Sequence, residues 1–519
     1  MGIPSYYRKL IQKYPGIVRQ SPPKDASILC YDFNCLIYRC IRAPGMPEAP
    51  GICGDPSSID EWEEALLKEV RRTTKEVWGA AGRPHKVFIA VDGVVPMAKI
   101  RQQRVRRFKS AWLRRTVGGA SGWDSNAITP GTRFMDKLTA ELKSLVKEQG
   151  RNWELSSVDE PGEGEHKIMQ WLRNQKAPKG TAMIYGLDAD LILLSMLTST
   201  QTGIPMALFR EKQEFGGQMS MSSDGVQEYS TFDIDEFQKK IGVDGVEDLK
   251  TYVCLMSLMG NDFLPHSLTH SLKDDGHDCI MDAFKRLKRE GKLLLKDDIV
   301  QQGVIKGIVT GWAREEDTRF TNMIRKKREQ AGRGAAKGMD PSEVMPLEWN
   351  VEREFIVDGA LVENWRELYW RWIHPSAASS AASSASSASS ASAMVKAQIC
   401  KEYMRGMQWI LDYYLGKPVD KSWIFPSWIP PLWTDLASVE HVEMDSNPRE
   451  DPKIEPEEQL AMVLPLESWG LIQGDLKSLP GRLPQMWPTE FGFFSLGRKW
   501  LWECEARIPV LTVERVRSV

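Results

Sequence analysis

An α/β fold built on a parallel sheet is the class this sequence predicts, and three apolar runs that each end in an aspartate predict it. They are SILCY before Asp32, KVFIAV before Asp92 and AMIYGL before Asp188, separated by amphipathic stretches as in strand–helix–strand units. Runs so uniformly apolar suit strands covered on both faces. In open α/β sheets the functional crevice lies beyond the carboxyl ends of the strands, so one edge would carry several carboxylates. Aspartate also commonly opens a turn after a strand, which serves as an alternative for any one of the three alone.

The chain of 519 residues suggests two to four domains with ample material for a core. A formal net charge of −2 with 27% charged residues gives no global sign of a nucleic-acid partner, so any basic site must be local. No run of about 18 apolar residues could span a membrane, and MGIPSYYRKLIQKY lacks the apolar core of a signal peptide. Tyr6 stands where a myristoylation motif wants Ser or Thr. The eight cysteines show no CxxC spacing and read as reduced core residues of an intracellular protein, with cytoplasmic placement preferred and nuclear placement open.

The stretch from Pro161 to Asp190 holds two acid-x-acid pairs, Glu163 with Glu165 and Asp188 with Asp190. The first pair precedes HKIMQWLRNQ, where Ile168, Met169 and Leu172 fall at helical spacing, so helix capping is its plain alternative. If the pairs converge, four like charges need a cation. Hard oxygen donors without a His or Cys cluster point to Mg²⁺ or Mn²⁺.

From Met97 to Arg115 the sequence carries eight Lys or Arg and no acid, and it reads as one helix. Lys99, Gln103, Arg106 and Arg107 share a face there, suited either to solvent or to the flanking phosphates of a phosphodiester. A Gly/Ser/Met-rich patch over 211–235 reads as a loop. In LMGNDFLPH an apolar helix stops at Gly-Asn-Asp, which makes Asp262 a seventh acidic candidate or an ordinary turn residue. Residues 281–345 read as helical and basic, with 323–338 a mobile surface segment whose MIRKKREQ is either an import tract or an exposed helix. The Ala/Ser tract at 376–393 reads as a linker outside the fold. Beyond it lie a strongly periodic helix and the Trp- and Pro-dense SWIFPSWIPPLW, whose aromatics suit core packing or stacking on bases.

These blocks resemble the Xrn/Rat family of 5′-to-3′ exoribonucleases. MGIPSYYRKLIQKYP, DGVVPMAKIRQQRVRRFKSA, SNAITPGTRFM, PGEGEHKIMQWLR, YGLDADLILLSM and LMGNDFLPH are similar to its signature blocks in the same order. The resemblance resumes at VENWRELYW and runs through WPTEFGFFSLGRKWLWECEARIPVL. It implies a PIN-like, flap-endonuclease-like nuclease core over residues 1–276 and a helical variable segment over 277–350. A second family region would begin at 351–375 and continue over 394–519, walling the active site, with the accessory domains of longer members expected to be absent.

Carried over by position, the resemblance assigns seven metal-site acids to Asp32, Asp92, Glu163, Glu165, Asp188, Asp190 and Asp262, holding two Mg²⁺ ions with Mn²⁺ as substitute. It assigns a 5′-monophosphate pocket to Lys99, Gln103, Arg106 and Arg107, with Asn34 matching beside the first aspartate. Base stacking falls to Tyr38, where the family usually has His, and to Trp423, ahead of Trp409 and Trp428. Cys35 stands for the family's usual Gly, and Met97 for a basic residue expected next to the pocket. The implied function is processive 5′-to-3′ hydrolysis of 5′-monophosphorylated single-stranded RNA to mononucleotides, by a monomer. Two rivals stand beside it: a flap-type DNA endonuclease, and a silent nuclease-derived scaffold that binds RNA within a larger assembly.

Overall fold

The computed structural model describes residues 3, 5–51, 54–117, 122–176, 180–212, 227–332, 354–373, 385–444, 453–498 and 503–518. Its main sheet has seven strands: β1 (Val18–Arg19), β2 (Ala26–Asp32), β3 (Lys86–Ala90), β4 (Trp153–Ser156), β5 (Thr181–Tyr185), β6 (Met206–Glu211) and β7 (Tyr229–Asp233). They lie in the order β1-β7-β6-β5-β2-β3-β4. The five from β6 to β4 are parallel, and β7 pairs antiparallel with both β6 and β1. The chain runs outward from β2 to β3 and β4, then returns to the other flank of β2 as β5. The topological switch point therefore falls between β2 and β5, where a crevice must open at the carboxyl ends of the strands.

Alternation along the strands divides the core between the faces of the sheet. Ile28 and Cys30 of β2 join the cluster that includes Leu191–Leu197, while Leu29 and Tyr31 join the opposite one. The helix Ala385–Leu415 adds Met404, Met407, Leu411 and Tyr414 to the first cluster. A third cluster joins the basic helix Met97–Val117, through Met97, Ile100, Val105 and Phe108, to residues 454–516.

Three local expectations change. The span 211–235 is not all loop, because Tyr229–Asp233 pairs with β6; residues 213–226 lie outside those described. The span 323–338 is helical through Gly332, and Lys327 is only 4% exposed, donating to the Ser495 carbonyl at 3.0 Å, so it is no mobile surface segment as far as it is described. Of the Ala/Ser tract, residues 376–384 lie outside the description, but from Ala385 its backbone forms the first turns of the long helix, as alanine's helix propensity favours. Among the described residues no helix is long and apolar enough to cross a membrane. Seven described cysteines are free of disulfides, five of them buried.

Candidate active site

Two of the acids at element ends, Asp32 and Glu163, do no capping. Asp32 stands at the N-cap of Phe33–Ile41 and Glu163 at the N-cap of Gly164–Arg173, and neither side chain bonds the helix it precedes. Asp190 is the first residue of the helix Asp190–Thr202. At Asp262 the turn chemistry belongs to its neighbour: Asn261 Oδ1 accepts from the Phe263 and Leu264 amides at 2.9 and 3.0 Å, which leaves the aspartate side chain for another purpose.

The acids converge instead. Carboxylate oxygens of Glu165, Asp188 and Asp190 lie within 4.8 Å of one another, as do atoms of Glu163, Glu165 and His166. Asp92 is fixed by the Gly164 amide at 2.6 Å on one oxygen and by Asn34 Nδ2 at 2.8 Å on the other. Gly164 explains the acid-Gly-acid spacing: a Cβ there would sit 2.9 Å from Asp32 Oδ1 and 3.3 Å from Asp92 Oδ1, so only glycine lets the helix start approach both aspartates.

Burial and mutual repulsion hold protons on this cluster. Asp190 is pushed up to about 7 by burial, then by Asp188 and Asp262. Glu165 lies well above the ordinary carboxylate range through burial and Asp190, and Asp32 likewise through burial, Asp92 and Asp188. Glu165 Oε2 and Asp190 Oδ1 are buried with no hydrogen-bond partner. An all-carboxylate cluster with orphaned, repelling oxygens fits a hard divalent cation, whose charge would reverse each of those shifts. His166, pushed down to about 3 by burial, is a neutral ring whose Nε2 is also orphaned at this edge.

Lys99 does more than the phosphate face predicted for it. Its Nζ lies 2.5 Å from Glu163 Oε2 and 2.7 Å from Asp262 Oδ2, with the residue 9% exposed. Burial raises the Asp262 carboxyl, yet Lys99 outweighs it and brings the group down to about 2. On the same helix Gln103 and Arg107 are buried, and Arg107 Nη1 has no hydrogen-bond partner. Burial drops Arg107 to about 10; Tyr38 is 38% exposed. Met97 packs away from this face, 2% exposed in the cluster with residues 454–516.

Four rings stack in a column toward the acids. Trp423 lies on Trp409 (5.2 Å between centroids, 29°), Trp409 on Tyr413 (4.9 Å, 27°) and Tyr413 on His166 (3.8 Å, 33°). Trp409 is 3% exposed and Trp428 lies over Arg101 at 4.7 Å, which leaves Trp423, half-buried, as the open end of the column. Tyr413 also donates its hydroxyl to Glu163 Oε1 at 2.8 Å. Sequence reasoning missed Tyr413, His166 and Lys167. Lys167 donates to the carbonyls of Val91 and Ser157 at 2.7 and 2.8 Å and ties this helix to the ends of β3 and β4. His166 and Lys167 adjoin the acidic pair, a signal that could have found them. Tyr413 is 250 residues from Glu163, and nothing in its own helix points there.

Residues 1–212 match the family described as XRN 5′-3′ exonuclease N-terminus, and residues 383–518 match the Xrn1 helical domain. The human protein 5′-3′ exoribonuclease 1 is 26% identical over 99% of this chain and 34% of its own length. The 5′-3′ exoribonuclease 2 of Eremothecium gossypii is 30% identical over 65% of this chain and 44% of its own, and that of Saccharomyces cerevisiae is 30% identical over 66% and 42%. The chain thus spans between a third and just under half the length of these relatives.

Proposed function

Because the chain belongs to the family of XRN 5′-3′ exonucleases, we propose that it hydrolyses 5′-monophosphorylated single-stranded RNA from its 5′ end, processively, to mononucleotides. The observation that carries this reading is the pairing of two incomplete charge sites: a buried acid cluster with orphaned oxygens, and a buried arginine face with an orphaned N–H. One needs cations and the other an anion, and a metal-bound RNA end with a terminal phosphate supplies both.

Two Mg²⁺ ions, with Mn²⁺ as substitute, would be held by Glu165, Asp188 and Asp190 and by the neighbouring Asp32, Asp92 and Glu163, and would supply a water of lowered pKa and neutralisation of the leaving 3′-oxygen. Asp262, already paired with Lys99, acts by keeping that lysine in place. Arg106, Arg107 and Gln103 grip the 5′-phosphate and so set direction. Tyr38 and Trp423 sandwich the terminal base without reading its identity, since every base has a π face. Fixed donors on one helix face limit the space at the phosphate, so caps and triphosphates are rejected by size.

Digestion of 3′-labelled RNA with 5′-monophosphate, triphosphate or hydroxyl ends tests this, beside DNA and flap substrates. The expected result is loss of the monophosphate RNA alone, abolished by EDTA and by Asp188→Asn/Asp190→Asn. Mg²⁺ should also raise the melting temperature of the wild type and not of that variant. Preference for a DNA flap, or binding of the RNA in Mg²⁺ without cutting, would overturn the reading.

A further inference from the structure

Behind the phosphate face lies a cavity of about 580 Å³, within the roughly 300–1,000 Å³ range of small-ligand sites. The basic helix forms one wall of it with Ala98, Gln102, Val105 and Lys109, at i, i+4, i+7 and i+11. That stripe is turned about a third of a revolution from the stripe bearing Lys99, Gln103 and Arg107. Arg106 borders both. Asp262 stands between them, accepting from Lys99 on one side and from Gln102 on the other at 3.4 Å. The cavity is therefore a neighbour of the phosphate site, separated from it by side chains rather than by backbone.

Its lining is both basic and apolar. Seven Lys or Arg face four Asp or Glu; Asp262 is matched by Lys99 outside the lining, while Glu503 pairs with Lys273 and Asp274 with Lys326 within it, so the remaining Arg101, Arg106, Lys109, Lys327 and Arg498 outnumber Glu505. Arg101 spends its hydrogen bonds on carbonyls, Phe425 O and Ser427 O, and Arg498 donates to His266. Burial pushes Arg101 down to about 10 and lowers Arg498 and Lys109 as well, the mark of positive charge out of water. Trp428, Phe425, Leu268 and Met323 supply flat and apolar surface opposite. Asp262, with a side chain 6% exposed, marks the buried part of the lining nearest the acids; Lys326 and Asp274, paired to each other at 2.8 Å with side chains 60% and 53% exposed, mark the part that reaches solvent.

An exonuclease that keeps hold of its polymer cannot release each product through the mouth the polymer fills. Resting on the function proposed above, we propose that this cavity binds the released nucleoside 5′-monophosphate and conducts it to solvent at Lys326. Arg106, shared by both sites, passes the phosphate from one to the other. The anion is met by the basic excess, and the base and ribose by the Trp428 side.

The test is calorimetric titration of AMP into the full chain in EDTA, in the wild type, Arg107→Ala, Leu268→Trp and Lys326→Glu. Two AMP sites are expected in the wild type. Arg107→Ala should lose one, and each cavity variant should weaken the other at least tenfold. Lys326→Glu alters an exposed side chain and keeps the test valid if the tryptophan does not fold. In parallel, the cavity variants should cut the first nucleotide at the wild-type single-turnover rate but run at least fivefold slower over many turnovers. A single AMP site lost in Arg107→Ala and untouched by both cavity variants would overturn the proposal and leave the exonuclease reading standing. Equal slowing in both kinetic regimes would remove the exit role. AMP held in the cavity of a chain that cuts no RNA would defeat the function proposed above together with that role.

Discussion

Replacing Lys99 by Met keeps the length of the side chain and removes the one charge that joins Glu163 to Asp262. Both contacts are buried, with carboxylate side chains 4% and 6% exposed, so the loss leaves two acids facing each other out of water. Breaking a buried ion pair by removing one partner costs about 3–5 kcal/mol. Glu163 is already raised by burial and takes a proton once Lys99 is gone, which brings the expected net loss near the lower end, about 3 kcal/mol. The pH dependence follows from Asp262, whose carboxyl is held at about 2 against 3.8. A depressed acid contributes stability that is full above 3.8 and disappears as pH falls toward 2. The gap between wild type and Lys99→Met should therefore be widest near neutrality and narrow below pH about 4. Urea unfolding in EDTA of Lys99→Met, Asp262→Asn and the double variant measures it, and the double variant should be less destabilised than the sum of the singles by about 2 kcal/mol. A single-variant loss below about 1 kcal/mol, or strict additivity, would refute the assignment of Lys99 as a cross-link.

Three further outcomes are expected. Tyr413→Phe keeps the ring column and deletes the hydroxyl on Glu163; unfolding experiments should show a loss of about 1.5–3 kcal/mol, as for a hydrogen bond to a charged group. His277, hydrogen-bonded to the Tyr252 hydroxyl at 2.9 Å, is pushed by burial from 6.5 down to about 4. A depressed base contributes stability present above its unfolded pKa and lost as pH falls through the folded one, so lowering pH from 7.5 to 5 should cost about 2 kcal/mol there; His277→Gln should flatten that part of the pH–stability curve. Residues 1–276 expressed alone should melt without cooperativity in calorimetry, because the basic helix loses the apolar partners and carbonyls that residues 454–516 provide; a sharp two-state transition would contradict this.

What could be read from the sequence was whatever local pattern determines. The strand runs before Asp32, Asp92 and Asp188 show as short unbroken apolar stretches, and the strand-end rule then puts the aspartates on one edge. The same helical arithmetic that grouped Lys99, Gln103, Arg106 and Arg107 could not tell that Lys99 turns to two acids, because those acids come from loops 64 and 163 residues away. Tyr229–Asp233 was hidden for a related reason. It is an antiparallel strand between β1 and β6 that polar Tyr, Ser, Thr and Asp can make but do not announce, and partner strands rather than intrinsic preference decide it. The roles of Met97 and Trp428 depended on which side of the basic helix the second region packs, and that is a tertiary fact with no local signature.

That packing also accounts for how so many charges can lie under cover. The Met97–Val117 helix is basic all round, so one of its faces must be buried against something that accepts hydrogen bonds without cancelling charge. Arg104, 2% exposed, meets the carbonyls of Met462, Met486 and Pro509, and burial drops it to about 9. Arg101 meets those of Phe425 and Ser427. Carbonyl dipoles fix these guanidinium groups while leaving their charge to act at a distance. Their positive charge is therefore left uncancelled by these acceptors. A second region that answered the same arginines with carboxylates would have packed as well and cancelled that charge. Only at the far end of the helix does the second region answer with carboxylates, Glu467 and Glu490 meeting Arg115; nearer the acids, at Arg101 and Arg104, it offers backbone carbonyls, and that links the helical region to the chemistry on the other side of the helix.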